Sequence, residues 1–383
     1  MQIKFSFFLV LGFSCFSLLN SCSKGPQNFI EFLYFLGDQS EENRQEIFSD
    51  WVKTQKSFPV IENDKVFFIY KNEQDLAAYV CGDFNNWAKD SLQFLRIIGT
   101  SFYYAEASIS EDARVKYVFY VKNRFITDAL NGNIKESAND PVSILMMPAY
   151  EYPVETLLNR FQRYTILDTV ALKSDLLKDE VIVFLYKHPH VQAASPIIIF
   201  SEGEKYLNYA RAQIILDNLV DLSKIPPCYG IFVKSGKIED NGLYFKMMFD
   251  ELLPAISGRF NLNETNPVII GGASAEVLFS LGALKNYASR IKSVFWQSFS
   301  SGNLSVDIMP DLYYPDLSAH NVFLSGSAFS TPDTVTKIWQ DFLSEKKAYF
   351  RIKLYNEGEN WENYSGHLDE ALIFLINKNP LPN

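Results

Sequence analysis

The sequence is poor in the residues that build metal centres and disulfide frameworks. Its 383 residues include four cysteines, at positions 15, 22, 81 and 228, with no Cys-x-x-Cys and no zinc-type spacing. His188, His190, His320 and His367 are scattered, so no metal and no other cofactor is expected. Positive charge is also short. Lys and Arg total 35 against 45 Asp and Glu, a net charge of −10, and no basic cluster exceeds the pair Lys346–Lys347. That disfavours a nucleic-acid partner, which calls for a basic stripe. Beyond the first twenty or so residues no apolar run approaches the length of a spanning helix, about 18 residues. What is present is ordinary globular composition, 48% hydrophobic and 21% charged, in a length that suits two domains or three small ones. Aromatics are rich, with 32 Phe and 21 Tyr; most belong in cores, and some could form a stacking surface.

The N-terminus reads as a targeting segment. Lys4 is the only charge before Lys24, and the apolar run Phe5–Leu19 follows it. Leu19-Asn20-Ser21-Cys22 then resembles the bacterial lipoprotein cleavage box. The resemblance implies removal of residues 1–21, lipid on Cys22, and a protein held by its acyl chains on a membrane outside the cytoplasm, on the periplasmic face or the cell surface. Ser23 is compatible with the outer membrane. The plainer alternative is an ordinary signal peptide with Cys22 incidental. Cys81 and Cys228 are expected to be buried free thiols rather than a disulfide.

Three patterns follow. Residues 22–60 read as a helical segment, with Phe29, Phe32, Leu33 and Leu36, then Ile47, Trp51 and Val52, at helical spacing around the polar stretch 38–44. Residues 61–150 read as an all-β sandwich, from the runs Val66–Tyr70, Leu76–Val80, Phe102–Ala107 and Val115–Val121. Residues 151–383 read as α/β. The apolar runs Val181–Tyr186, Ile197–Phe200, Tyr229–Val233, Val268–Ile270 and Val322–Leu324, mostly separated by helical stretches, predict a mainly parallel sheet covered on both faces.

Within the β region, Gly82-Asp83-Phe84-Asn85-Asn86-Trp87, then Tyr117-Val118-Phe119, then Asp128-Ala129-Leu130-Asn131 resemble the early-set, glycogen-binding-like immunoglobulin modules found beside carbohydrate enzymes and some esterases. Ala129 stands where those modules have Pro. The resemblance offers Trp87 as a sugar-stacking residue; the alternative is that Phe84 and Trp87 only close the sandwich.

The chemistry centres on Ser274. The strand Pro267–Ile270 leads through Gly271-Gly272-Ala273-Ser274-Ala275 into an apolar helical stretch, the strand–turn–helix order of a nucleophile elbow. A serine hydroxyl is a weak nucleophile. It needs exposure at a sharp turn, a nearby base, and N–H donors for the oxyanion. His367, preceded by Gly366 and followed by a helical run, lies where a C-terminal base belongs. With Phe58–Glu62, Ser143–Pro153, Glu251–Pro254 and Trp296–Ser300, residues 60–380 resemble the enterochelin esterase group of the α/β-hydrolases, whose best-known substrates are siderophore trilactones. The resemblance implies Ser274 as nucleophile and His367 as base. It implies an oxyanion hole made by the N–H of Ala275 and one from the loop carrying Gly203 and Glu204. For the acid, the first available after Val322–Gly326 is Asp333, with Glu357 and Glu359 as further candidates. The sequence departs from the family at Glu276, where Gly is usual, at Glu202-Gly203 in place of Asp-Gly, and at Lys234, after which the family's Arg is missing. Two functions stand at this point. One is a lipid-anchored esterase acting on a small-molecule carboxylic ester, of siderophore type or otherwise. The other is a catalytically degenerate α/β-hydrolase-fold lipoprotein that binds rather than cleaves.

Overall fold

The structure, a computed structural model, describes residues 25–135, 141–156, 166–234, 241–263, 265–273, 283–284, 286–299 and 317–377. Cys22, Ser274, Ala275 and Glu276 lie outside the described residues. The chain divides into two compact units, residues 1–55 with 96–101, and residues 56–95 with 102–383.

In the first unit the expected helical segment is two helices, Phe29–Gly37 and Glu41–Thr54. The break follows from local chemistry. Gly37, Asp38 and Ser40 interrupt the apolar period with residues of low helix propensity. The first helix begins at Asn28, whose side chain accepts from the Glu31 N–H at 2.8 Å while the Glu31 carboxylate accepts from the Gln27 N–H at 2.7 Å. Phe32 stacks on Trp51 with centroids 4.8 Å apart, and Phe29 and Phe48 pack around the same ring.

Among the described residues from 60 to 146 the chain forms nine short strands: β1 (Val60–Glu62), β2 (Lys65–Lys71), β3 (Ala78–Gly82), β4 (Leu95–Arg96), β5 (Phe102–Ser108), β6 (Arg114–Val121), β7 (Arg124–Ile126), β8 (Ile134–Lys135) and β9 (Val142–Met146). They form one sheet in the order β1-β2-β5-β4 and a second in the order β3-β6-β9-β8, with β7 beside β6. Both sheets turn alternate residues into one shared core: Val66 and Phe68 from β2, Ala105 from β5, Val115, Tyr117 and Phe119 from β6. On β6 the opposite face carries Lys116, so the same alternation that fills the core presents a cation on the other side.

The remaining strands build one eight-stranded sheet. They are β10 (Ile166–Ser174), β11 (Asp179–Lys187), β12 (Ile197–Phe200), β13 (Tyr229–Val233), β14 (Val268–Ala273), β15 (Ile291–Gln297), β16 (Asn321–Ser327) and β17 (Tyr349–Tyr355), in the order β10-β11-β13-β12-β14-β15-β16-β17. Pairings from β13 through β17 are parallel, while β11 pairs antiparallel with both β10 and β13. Both faces are covered, as the unbroken apolar runs require. Ile197 and Ile199 enter one core, Ile198 and Phe200 the other. On the second face Leu368, Ala371, Leu372 and Leu375 of the helix Leu368–Ile376 form a buried stripe at helical spacing. Because the strands are parallel, the ends of β12, β14, β15, β16 and β17 share one edge, the usual place for a ligand in an open α/β sheet.

Candidate active site

At that edge β14 ends on the buried Ala273, which places the expected nucleophile directly beyond the strand in sequence. The neighbouring strand β12 ends on Phe200, and the next residue, Ser201, donates both its N–H and its Oγ–H to the Gly271 carbonyl at 3.0 Å. Glu202 then takes a left-handed backbone, φ 52°, and the short helix Gly203–Asn208 begins. A Cβ on Gly203 would lie 2.3 Å from the Phe232 carbonyl carbon, so the loop can run this close to β13 only with glycine there. The N–H groups of Gly203 and Glu204 fall in the first turn, where a helix offers no internal acceptor. Beyond β13, Lys234 pairs with Glu204 at 3.3 Å, a cation in the region where the expected arginine is missing.

His367 joins the helices Trp361–Gly366 and Leu368–Ile376. Its acidic partner is Glu357, two positions past the end of β17: His367 Nε2 lies 2.9 Å from Glu357 Oε1. Glu357 is 3% exposed and the His367 side chain 20%. The imidazole lies flat on the Tyr355 ring, centroids 3.3 Å apart and planes 4° from parallel. Tyr355 is itself fixed by a 2.7 Å hydrogen bond from its hydroxyl to Glu370. Asp369 adds a further acidic neighbour, its carboxyl raised to about 6 by burial.

Asp333, expected as the acid, is instead the exposed first residue of the helix Asp333–Glu345, capped by Pro332. The reason is local: the chain after β16 turns straight into this helix, and the acid at the imidazole comes from the loop after β17. Glu359, the other candidate, lines a cavity.

That cavity, about 650 Å³, has Ala273, Glu202, Lys205, Arg211, Trp361 and Tyr364 in its wall, together with Lys116 of β6 and Lys135 of β8. A second cavity of about 370 Å³ shares Lys135, Tyr209, Arg211 and Glu362 with it. His367 lines neither; Tyr364 and Ser365, just before it, do. Lys116 and Lys135 both pair with Glu362, the former at 2.6 Å. Burial, reinforced by neighbouring cations, brings each lysine down to about 8. Sequence reasoning passed over these cations. The only available signal was the polar position alternating with core residues along β6, and alternation does not say what the outer face meets.

The proposed sugar-stacking residue Trp87 is 37% exposed, with its indole N–H donating to Asp83 at 3.1 Å. Asp83 is buried, accepts from the Lys116 N–H at 2.7 Å, and lies against Gly358, where a Cβ would fall 2.2 Å from the carboxyl carbon. The Asp128–Asn131 motif is a turn whose two end residues are buried on Tyr117: Asp128 accepts from the Tyr117 hydroxyl at 2.8 Å and Asn131 donates to it at 3.0 Å. Cys81 and Cys228 are buried free thiols, as expected. Among the described residues no His/Cys/Asp/Glu group could hold a metal ion, and no helix is long and apolar enough to cross a membrane.

No protein-family model matches the sequence, and no curated protein matches it. Solved structures do. The fold is similar to that of the enterobactin esterases. Ferric enterobactin esterase from Salmonella typhimurium superposes with a TM-score of 0.65 at 16% identity, covering 85% of this chain and 98% of that one. The enterobactin esterase of Shigella flexneri, in the presence of enterobactin, gives 0.62 at 16% identity over 85% and 97%.

Proposed function

We propose that this chain is a serine hydrolase of carboxylic esters, held by lipid on Cys22 at a membrane outside the cytoplasm, with residues 61–150 as an early-set immunoglobulin-like module. The observation that carries the reading is the buried carboxylate of Glu357 at 2.9 Å from the His367 imidazole, just past the end of β17, in a sheet whose strand β14 ends one residue before Ser274 in sequence. In this mechanism the Ser274 oxygen attacks the ester carbonyl as His367 takes its proton. The N–H groups of Ala275 and of Gly203 or Glu204 hold the oxyanion. The alcohol leaves with the proton from His367, and water, activated the same way, releases the acid from the acyl-serine. Glu357 stabilises the imidazolium. Its contact is through Nε2, so Nδ1 is the nitrogen left for the serine, the reverse of the usual assignment.

A fluorophosphonate probe tests this on the purified mature protein. Labelling of the parent that disappears in Ser274→Ala is the expected result; a folded parent that takes no label refutes it. Enterobactin, the ester named for the similar structures, is the first substrate to assay, followed by simple aryl esters. A second reading, binding without cleavage, is favoured by Glu276 beside the elbow and by the absence of His367 from both cavity walls. It predicts a ligand that binds the unlabelled protein and is recovered intact.

A further inference from the structure

The loop that carries Glu357 is anchored on the β-strand module rather than on its own sheet. Arg114, the first residue of β6, donates its N–H to the Asn356 carbonyl at 3.0 Å, and Arg114 and Glu357 form an isolated parallel bridge. The Asn356 side chain donates to Asp112 at 2.8 Å and to Ser110 at 3.2 Å. Gly358 sits against Asp83, and Glu362 is held by Lys116 and Lys135. Inside this clamp Glu357 turns Oε1 to His367 and Oε2 toward the Arg114 guanidinium, whose Nη1 is 3.7 Å away. Among the described residues Oε2 has no hydrogen-bond partner of good geometry, although the Tyr150 hydroxyl interacts with this carboxylate, and both side chains are nearly buried, 10% exposed for Arg114 and 3% for Glu357.

We propose that Arg114 is a positioning residue for the Glu357–His367 pair: it keeps Glu357 ionised and aimed at the imidazole, so the β-strand module is a working part of the hydrolytic apparatus. The proposal rests on the esterase reading above. The physical reason is that a carboxylate this deeply buried is costly to ionise unless a cation answers it. In the mechanism proposed above His367 holds the serine proton only transiently, so a lasting counter-charge has to come from elsewhere. The other groups facing the pair are the Tyr150 hydroxyl and Lys116 near Glu357, and Tyr355 and Asp369 against His367. Arg114 is the group with a cation directed at Oε2.

The test uses the full mature chain carrying Arg114→Met or Arg114→Lys, each also combined with Glu357→Gln. Arg114→Met is expected to lower kcat/KM mainly through kcat and to move the acid limb of the pH profile upward by roughly one to three units. Arg114→Lys keeps the limb near the parental position, and in the Glu357→Gln background Arg114→Met moves nothing further. A limb that stays put in Arg114→Met while activity falls evenly at all pH values shows a structural role only and overturns the proposal. Should the methionine variant not fold, a shifted limb in Arg114→Lys overturns it equally. A parent with no turnover and no probe label refutes the esterase reading instead. The inference is then decided by NMR titration of His367 in Ser274→Ala: its midpoint rises on adding Arg114→Met, and an unmoved midpoint rejects the role.

Discussion

On the hydrolase mechanism proposed above, replacing Glu357 by Gln should remove most of the turnover without unfolding the protein. The substitution preserves shape and leaves an amide that can still meet the ring, but it removes the charge. In the folded protein Glu357 Oε1 lies 2.9 Å from His367 Nε2, and Glu357 is 3% exposed. At an effective dielectric of about 20, a unit charge pair at that distance attracts by roughly 5–6 kcal/mol. This attraction exists only while the imidazole is protonated, that is, in the transition state and the steps beside it. It is therefore differential stabilisation and acts on kcat. At about 1.4 kcal/mol per factor of ten, the ceiling is a loss of about 10⁴, the scale reached when triads lose their acid. The assay is kcat/KM on an activated aryl ester, with fluorophosphonate labelling rate as a substrate-independent check and thermal melting to establish folding. A Glu357→Gln protein that melts like the parent and keeps its turnover within a few fold would show that this carboxylate does not serve the imidazole.

Asp369 supplies a stability test. Burial raises its carboxyl to about 6, against about 3.9 in an unfolded chain. The folded state thus holds this proton more tightly, so the contribution is complete below about pH 4 and is lost as pH rises through 6. Asp369→Asn should accordingly gain about 2–3 kcal/mol at pH 7.5 and almost nothing at pH 4; equal melting shifts at both pH values reject the account. Gly203→Ala forces a Cβ to within 2.3 Å of the β13 backbone and should cost about 1–3 kcal/mol, and an unchanged melting temperature contradicts the close approach. Trp87→Ala leaves the buried Asp83 carboxylate short of one donor and should cost about 1–3 kcal/mol. Glycan affinity present in the parent and abolished by that change would support the stacking role.

The layering of the α/β part was readable in the sequence because its strands are buried on both faces, and burial on both faces leaves unbroken apolar runs such as Ile197–Phe200 and Tyr229–Val233. Strands with mixed faces were harder. β10 and β17 are half-exposed edge strands, and their polar positions, Asp168 and Lys173 or Arg351 and Lys353, hide the period. The helical pair near the N-terminus was legible from its aromatic spacing, while its break at 38–40 was not resolved from the polar stretch around it.

His367 could be picked out from composition and chain order, since it is the only histidine after residue 320 and leads into the last apolar helical run. Its acid could not be chosen, because Asp333, Glu357 and Glu359 are equal as letters. What distinguished them was the path of the loop after β17, held by Arg114 and Asn356 against a strand more than two hundred positions earlier in the chain. Local spacing determines which face of a helix or strand is apolar. Which carboxylate meets an imidazole is decided by contacts distant in sequence, and those arise only when the sheets pack.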